Sequence, residues 1–303
     1  MLTDGFEVFD DRFRALVLPH VHVETLHAGM RWAEGPAWFG AGRYLLWSDI
    51  PNDRLMRWDA TDGSVSVFEH RCGHHNGHTV DREGRLVSCE HGARRISRTE
   101  HDGTVSVLAD RFGGRRLNSP NDVVAASDGG IWFTDPTYGI DSHYEGERTA
   151  PELDGSHVYR IDPDGSIERV ADDFEKPNGL AFSPDERWLY VADTGATHRE
   201  DGPRHIRRFE VAAGRLKGGE VFATCADGLF DGLRVDARGH VWTSAGKGVD
   251  CYAPDGDWIG RIVCDETVAN VEFGGARRNR LFICATTTLR SVYLNTEGAP
   301  RPR

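Results

Sequence analysis

Short apolar runs rich in β-branched and aromatic residues recur along the chain, separated by polar turns, and sustained helical periodicity is nearly absent. That pattern predicts strands rather than helices. Asp62-Gly63, Asp102-Gly103, Asp164-Gly165 and Asp255-Gly256 each precede another strand-like stretch, as in Gly63-Ser-Val-Ser-Val-Phe68 and Gly103-Thr-Val-Ser-Val-Leu108. Asp-Gly pairs in this context mark tight turns between antiparallel strands.

One unit repeats. It opens with a polar residue, usually followed by Gly, and continues through a turn rich in Asp, Arg and Gly. It closes with an aromatic-rich strand ending near Asp or Ser. Three copies are Glu34-Gly-Pro-Ala-Trp38 with Tyr44-Leu-Leu-Trp-Ser-Asp49, Asn76-Gly-His-Thr-Val-Asp81 with Arg85-Leu-Val-Ser-Cys-Glu90, and Asn121-Asp-Val-Val124 with Ile131-Trp-Phe-Thr-Asp135. The others are Asn178-Gly-Leu-Ala-Phe182 with Trp188-Leu-Tyr-Val-Ala-Asp193, Asp231-Gly-Leu-Arg-Val-Asp236 with His240-Val-Trp-Thr-Ser244, and Asn270-Val-Glu-Phe273 with Arg280-Leu-Phe-Ile-Cys284. Spacings of roughly 40–57 residues match four-stranded propeller blades. The expectation is an all-β, six-bladed propeller of four-stranded antiparallel blades around a central channel, one domain over residues 1–303. Val21-His-Val-Glu-Thr-Leu26 is positioned to give the last blade its outer strand and close the ring. The insertion from about Tyr138 to Gly155 reads as a lid over one channel mouth.

Composition mainly excludes. A net charge of −12 lacks the basic face that nucleic acid or an anionic membrane requires. Neither a secretory leader nor an apolar stretch of membrane-spanning length is seen. Six scattered cysteines without a CxxC pair read as reduced core residues, placing the protein in the cytoplasm. A monomer or small homo-oligomer is expected.

Aligning the copies brings Glu34, Asn76, Asn121, Asn178, Asp231 and Asn270 to equivalent positions. Any one of them serves equally well as a turn residue before a strand. Six together, at the starts of inner strands, would converge on the channel axis, and carboxylates there need a cation between them. An oxygen-only set suits Ca²⁺ best, with Mg²⁺ or Mn²⁺ next and Zn²⁺ less favoured.

The same residues carry a family resemblance. Ala33-Glu-Gly-Pro-Ala-Trp38, Arg116-Leu-Asn-Ser-Pro-Asn-Asp-Val123, Phe133-Thr-Asp-Pro-Thr-Tyr-Gly139, Lys176-Pro-Asn-Gly-Leu-Ala-Phe-Ser-Pro-Asp185 and Asp231-Gly-Leu-Arg-Val-Asp236 resemble the SMP-30/gluconolactonase/LRE-like family. Asn76 through Gly92 is similar to its bacterial gluconolactonase branch. The resemblance implies a metal held by Glu34, Asn178 and Asp231. It also implies that Asn121 either completes that set or contacts substrate, and that Asp231 acts as general base, with a nucleophilic Asp231 as the alternative. The implied reaction is metal-dependent hydrolysis of a small lactone such as gluconolactone. Non-sugar lactones, phosphotriesters and a non-enzymatic calcium-binding propeller are the rival outcomes. Ser119 departs from animal members, which carry an arginine there.

His91, His198 and the cluster His74, His75 and His78 lie near the predicted inner strands. Each is read first as a structural or channel-lining histidine, with His91 and His198 kept as candidates to assist Asp231. No Gly-x-Ser-x-Gly elbow or phosphate-binding loop is present. Trp47, Trp132, Trp188 and Trp242 are assigned to blade packing.

Overall fold

A computed structural model describes residues 5–300. Six antiparallel sheets are arranged as the blades of a six-bladed β-propeller. From the axis outwards, blade I contains Ala33–Phe39, Tyr44–Asp49, Arg54–Asp59 and Val65–His70, and blade II contains His75–Val80, Leu86–Glu90, Arg95–Thr99 and Val105–Ala109. Blade III begins at Val123–Ala125, blade IV at Pro177–Phe182 and blade V at Leu233–Val235. In blade VI the inner three strands are Val268–Gly274, Arg280–Ala285 and Thr288–Tyr293. Its outer strand is Glu24–Ala28 from the N-terminal region, with Glu24 opposite Ser291 and Ala28 opposite Thr288. The chain thus closes its own ring, as the sequence pattern anticipates. Nothing in the repeat pattern predicts Phe6–Val8, which adds a fifth strand to blade V, with Phe6 opposite Ile262.

All four Asp-Gly turns join the third and fourth strands of a blade. Their glycines take positive φ, between 76° at Gly63 and 94° at Gly256. The preceding aspartate accepts a hydrogen bond from the backbone two residues on, as in Ser64 N to Asp62 Oδ1 at 2.9 Å. Turn and side chain therefore specify the same geometry.

Buried apolar residues fall into clusters at the interfaces between blades. Trp38, Trp47, Trp58 and Phe282 join blades I and VI, while Trp242, Phe273, Leu281 and Ile283 join V and VI. Trp47, Trp132 and Trp242 are fully buried, each contributing roughly 1.5–3 kcal/mol or more of hydrophobic stabilisation. The six cysteines are buried and unpaired. Among the described residues no helix is long and apolar enough to cross a membrane.

The Gly after the leading polar residue explains why the repeat has its form. A Cβ on Gly35 would sit 1.9 Å from Asn76 O, one on Gly77 2.5 Å from Asn121 O, and one on Gly179 2.2 Å from Asp231 O. Each glycine lets the backbone of the next polar position approach, and Gly77 N and Gly179 N donate to those same carbonyls at 2.8 and 3.2 Å. The innermost strands are thereby drawn around the axis.

Candidate metal centre and its cavity

Five of the six aligned positions, Glu34, Asn76, Asn121, Asn178 and Asp231, line one cavity of about 310 Å³ at a channel mouth. Asn270 is the exception to the six-fold convergence expected from the alignment. Its Oδ1 accepts from Val271 N at 2.8 Å and its Nδ2 donates to Glu34 Oε2 at 2.9 Å. It holds Glu34 in place instead of offering an oxygen to the axis. Blade VI lacks the repeat glycine, carrying Val271 there.

Glu34 is buried, and its Oε2 also accepts from Gly35 N at 2.7 Å. Burial pushes its carboxyl up to about 8, and the neighbouring Asp122 and Glu145 carboxyls push the same way. Asp231 is raised well above the carboxylate range by burial and by Glu34, Glu145 and Asp122. Its side chain is partly open, but to the cavity rather than to bulk water, so partial exposure and strong desolvation coexist. The Asn178 side chain lies close enough to Asp231 to oppose that shift, and Asn178 Oδ1 is buried without a partner, as is Asn76 Oδ1. No arginine or lysine of the described chain compensates either carboxylate.

Two uncompensated carboxylates and unpaired amide oxygens form a donor set that lacks only a positive charge. Among the described residues no three His, Cys, Asp or Glu side chains converge as ligands; any further oxygens for a cation would come from the amides. The set fits a hard divalent cation such as Ca²⁺.

The lid supplies what the repeat did not disclose. After strand Ile131–Asp135 comes a short helix, Tyr138–Asp141, and the chain then folds back so that Glu145 reaches the cavity. A Cβ on Gly146 would lie 2.2 Å from Gly139 O, and one on Gly139 would lie 2.5 Å from His91 Cγ, so both glycines permit this close packing. Burial raises the Glu145 carboxyl to about 7, with Asp141 adding to the shift. Lys176 Nζ pins the lid helix through Thr137 Oγ1 and through Asp141 Oδ2 at 3.1 Å, and Tyr138 Oη meets Thr197 Oγ1 at 3.0 Å. Ser119 is buried and does not line the cavity. It donates to Pro136 O at 2.8 Å and accepts from Gly139 N at 3.0 Å, tying the lid's base to blade III. Glu145 has no counterpart in the other blades, so no alignment of the copies could single it out.

The histidines separate. His91 Nδ1 meets Glu145 O at 3.0 Å and His91 Nε2 meets Asn76 Nδ2 at 3.1 Å, and burial lowers its pKa to about 4. His198 Nε2 lies 3.0 Å from Asp141 Oδ2 and does not line the cavity. His74 is bound to Ile50 O at 2.9 Å. His75 lies 3.7 Å from Glu90, and His78 is enclosed between Ser48 and Ser88 at 2.8 Å each. These three are part of the scaffold.

One layer further along the inner strands, Arg234 Nε donates to Glu272 Oε2 at 2.8 Å, and Arg234 Nη1 lies 3.4 Å from Asp122 Oδ2. All three residues lie deep in the channel, and Arg234 and Glu272 also line a cavity at its opposite end.

A propeller with an oxygen-lined axial cavity under a lid is the class that fold and site together define. Residues 32–287 match the SMP-30/Gluconolactonase/LRE-like region, and the chain belongs to that family. A gluconolactonase of Zymomonas mobilis is 30% identical over 315 residues, covering 96% of this chain and 86% of the relative. Pentonolactonase XacC of Haloferax volcanii is 30% identical over 268 residues, covering 84% and 81%. The solved structure of a gluconolactonase from Xanthomonas campestris is similar with a TM-score of 0.90 at 41% identity, covering 96% of this chain and 95% of its own.

Proposed function

We propose that the protein is a lactonase that hydrolyses a small sugar lactone and depends on one divalent cation, Ca²⁺ being the best match. The family relatives named for gluconolactone and pentonolactone hydrolysis support the reaction class. The cation rests on one observation: Glu34 and Asp231 are held together at the cavity floor with unpaired amide oxygens and no compensating side chain.

Glu34, Asn178 and Asp231 would hold the ion, with Asn121 either adding a fourth oxygen or contacting substrate. When bound, the cation supplies counter-charge for the carboxylates and Lewis acidity toward the lactone carbonyl. Asp231, open to the cavity, accepts a proton from the attacking water as its oxygen bonds to the carbonyl carbon. The Asn121 amide donates to the carbonyl oxygen as charge develops there. Cleavage of the ring C–O bond releases an alkoxide, and the proton held by Asp231 passes to it, giving the hydroxy acid. Asp231 carries two carboxylate oxygens, so it could both help to hold the ion and take the proton. Glu145 accepts hydrogen bonds from hydroxyl groups of the ring.

Trp32, Leu229 and Val268 make part of the wall apolar, which favours, as a second reading, lactones with fewer hydroxyls or phosphotriesters. The test is indicator-monitored hydrolysis by metal-stripped protein, with Ca²⁺, Mg²⁺, Mn²⁺ or Zn²⁺ restored. Substrates are glucono-1,5-lactone, δ-valerolactone and an aryl phosphotriester. Metal-dependent turnover of the sugar lactone supports the proposal. Turnover of the others alone transfers it to the second reading. Cation binding without turnover of any of them leaves a calcium-binding propeller.

A further inference from the structure

We infer that His91 is a positioning residue that ties the lid to the cation site by turning the Asn76 amide oxygen into the cavity, making Asn76 a further oxygen donor. The inference rests on the cation-binding proposal above.

The His91 imidazole makes two hydrogen bonds, one through each ring nitrogen. Glu145 O can only accept, so the 3.0 Å contact requires the proton on His91 Nδ1. In the neutral ring, Nε2 then carries the lone pair and can only accept. Its partner at 3.1 Å must be the amide nitrogen of Asn76. The amide orientation follows: Nδ2 toward His91, and Oδ1 away from it. Asn76 lines the cavity, and its Oδ1 is buried with no hydrogen-bond partner. Asn178, beside Asp231, likewise has a buried amide oxygen without a partner. A buried amide oxygen left unsatisfied is costly, and two on residues that line one cavity with Glu34 and Asp231 share one remedy, a cation.

The coupling is local. Glu145 O belongs to the lid segment whose carboxyl enters the cavity, and Gly139 packs against the same imidazole ring. Displacing the lid removes the acceptor that fixes the His91 tautomer and frees the Asn76 amide to rotate. A lid in place therefore means a site with its Asn76 oxygen presented.

Two amide substitutions divide the two contacts. Asn places its donor near the Nδ1 position, so His91→Asn retains the bond to Glu145 O and loses Asn76. Gln reaches the Nε2 position, so His91→Gln retains an acceptor for Asn76 and loses the lid. Calorimetric titration with Ca²⁺ alone, in the absence of substrate, reads the site. Amide hydrogen exchange over residues 143–148 reads the lid, and thermal melts confirm folding. The expected result is a Ca²⁺ Kd weakened about 10-fold in Asn76→Ala and His91→Asn, within the range for groups that orient metal ligands. His91→Asn keeps lid protection, whereas His91→Gln speeds lid exchange and keeps Kd within about 3-fold. An unchanged Kd in Asn76→Ala, or indistinguishable behaviour of the two His91 variants, overturns the inference. If Asp231→Asn still abolishes binding in that case, the cation proposal stands without it. A wild-type protein that binds none of Ca²⁺, Mg²⁺, Mn²⁺ or Zn²⁺ removes both.

Discussion

Asp122 and Glu272 flank Arg234 in the channel, with the guanidinium 3.4 and 2.8 Å from their carboxylates. One layer toward the lid, Glu34 and Asp231 are also remote from bulk water, yet they face amides and each other. Burial raises the Asp122 carboxyl, and Arg234 opposes that shift. At Asp231 the neighbouring carboxylates reinforce it. A fold that could place an arginine between carboxylates did so in one layer and omitted it in the next. Paired buried charge is internally satisfied, whereas unpaired buried charge is a site that requires something from outside.

The strongest way to break the contrast is Asp231→Asn, which keeps the shape and removes one charge and the proposed base. We expect kcat/KM for glucono-1,5-lactone at saturating Ca²⁺ to fall about 10³-fold or more, the scale of losing a general base. Retained activity would remove Asp231 from the chemistry. The mirror experiment is Arg234→Met, which leaves Asp122 and Glu272 buried without their cation. A loss of about 3–5 kcal/mol is expected for breaking a buried ion pair, read by denaturant unfolding. If stability is unchanged, the Arg234 layer is not the satisfied half of the comparison.

Removing the cation probes the unpaired layer directly. A ligand at 100 times its Kd contributes about 2.7 kcal/mol to the folded state, so metal-stripped protein should melt lower and recover with Ca²⁺. The size of the recovery depends on pH. The folded-state pKa of Glu34 lies near 8, above its ordinary 4.5. Between those values the folded apo-protein holds more protons than the unfolded chain, so its stability falls as pH rises. A bound cation would keep the carboxylates ionised, and the Ca²⁺-induced rise in melting temperature should then grow from pH 5 to pH 8. A shift independent of pH would mean that the ion binds elsewhere.

The blade count, ring closure by the N-terminal segment and four of the polar positions lining the cavity with Glu34 were legible because the chain states them repeatedly. What occurs once was not. Phe6–Val8 is short and follows no blade motif, and its pairing depends on an edge that exists only after blade V has formed. The Asp122–Arg234 pair joins residues far apart in sequence through the channel, so no local spacing announces it. Asn270 shares the aligned position but not its use: next to Val271 its side chain turns to its own backbone and to Glu34. The sequence shows the glycines of the repeat without their reason, and Gly77, Gly179 and Gly232 show none of the positive φ of Gly35. Their common requirement is room for the next blade. His91 was visible as a candidate, but its partners became apparent only when Asn76 and the lid met around it.

Glu145 gives the smallest effect and the finest distinction. It is a third carboxyl in the unpaired layer, but it arrives on the lid rather than on an inner strand, and Lys176 is committed to Asp141 and Thr137 at the other side of the lid helix. If it serves as a hydrogen-bond acceptor for ring hydroxyls, its charge matters only when the substrate has hydroxyls to offer. Glu145→Gln should then lower kcat/KM for glucono-1,5-lactone about 10-fold, or about 1.4 kcal/mol, while leaving δ-valerolactone within about 2-fold. Equal losses on both substrates would place Glu145 in the common chemistry or in cation binding. No loss on either would leave its backbone carbonyl, held by His91, as the lid's contribution, because that bond is indifferent to the side chain.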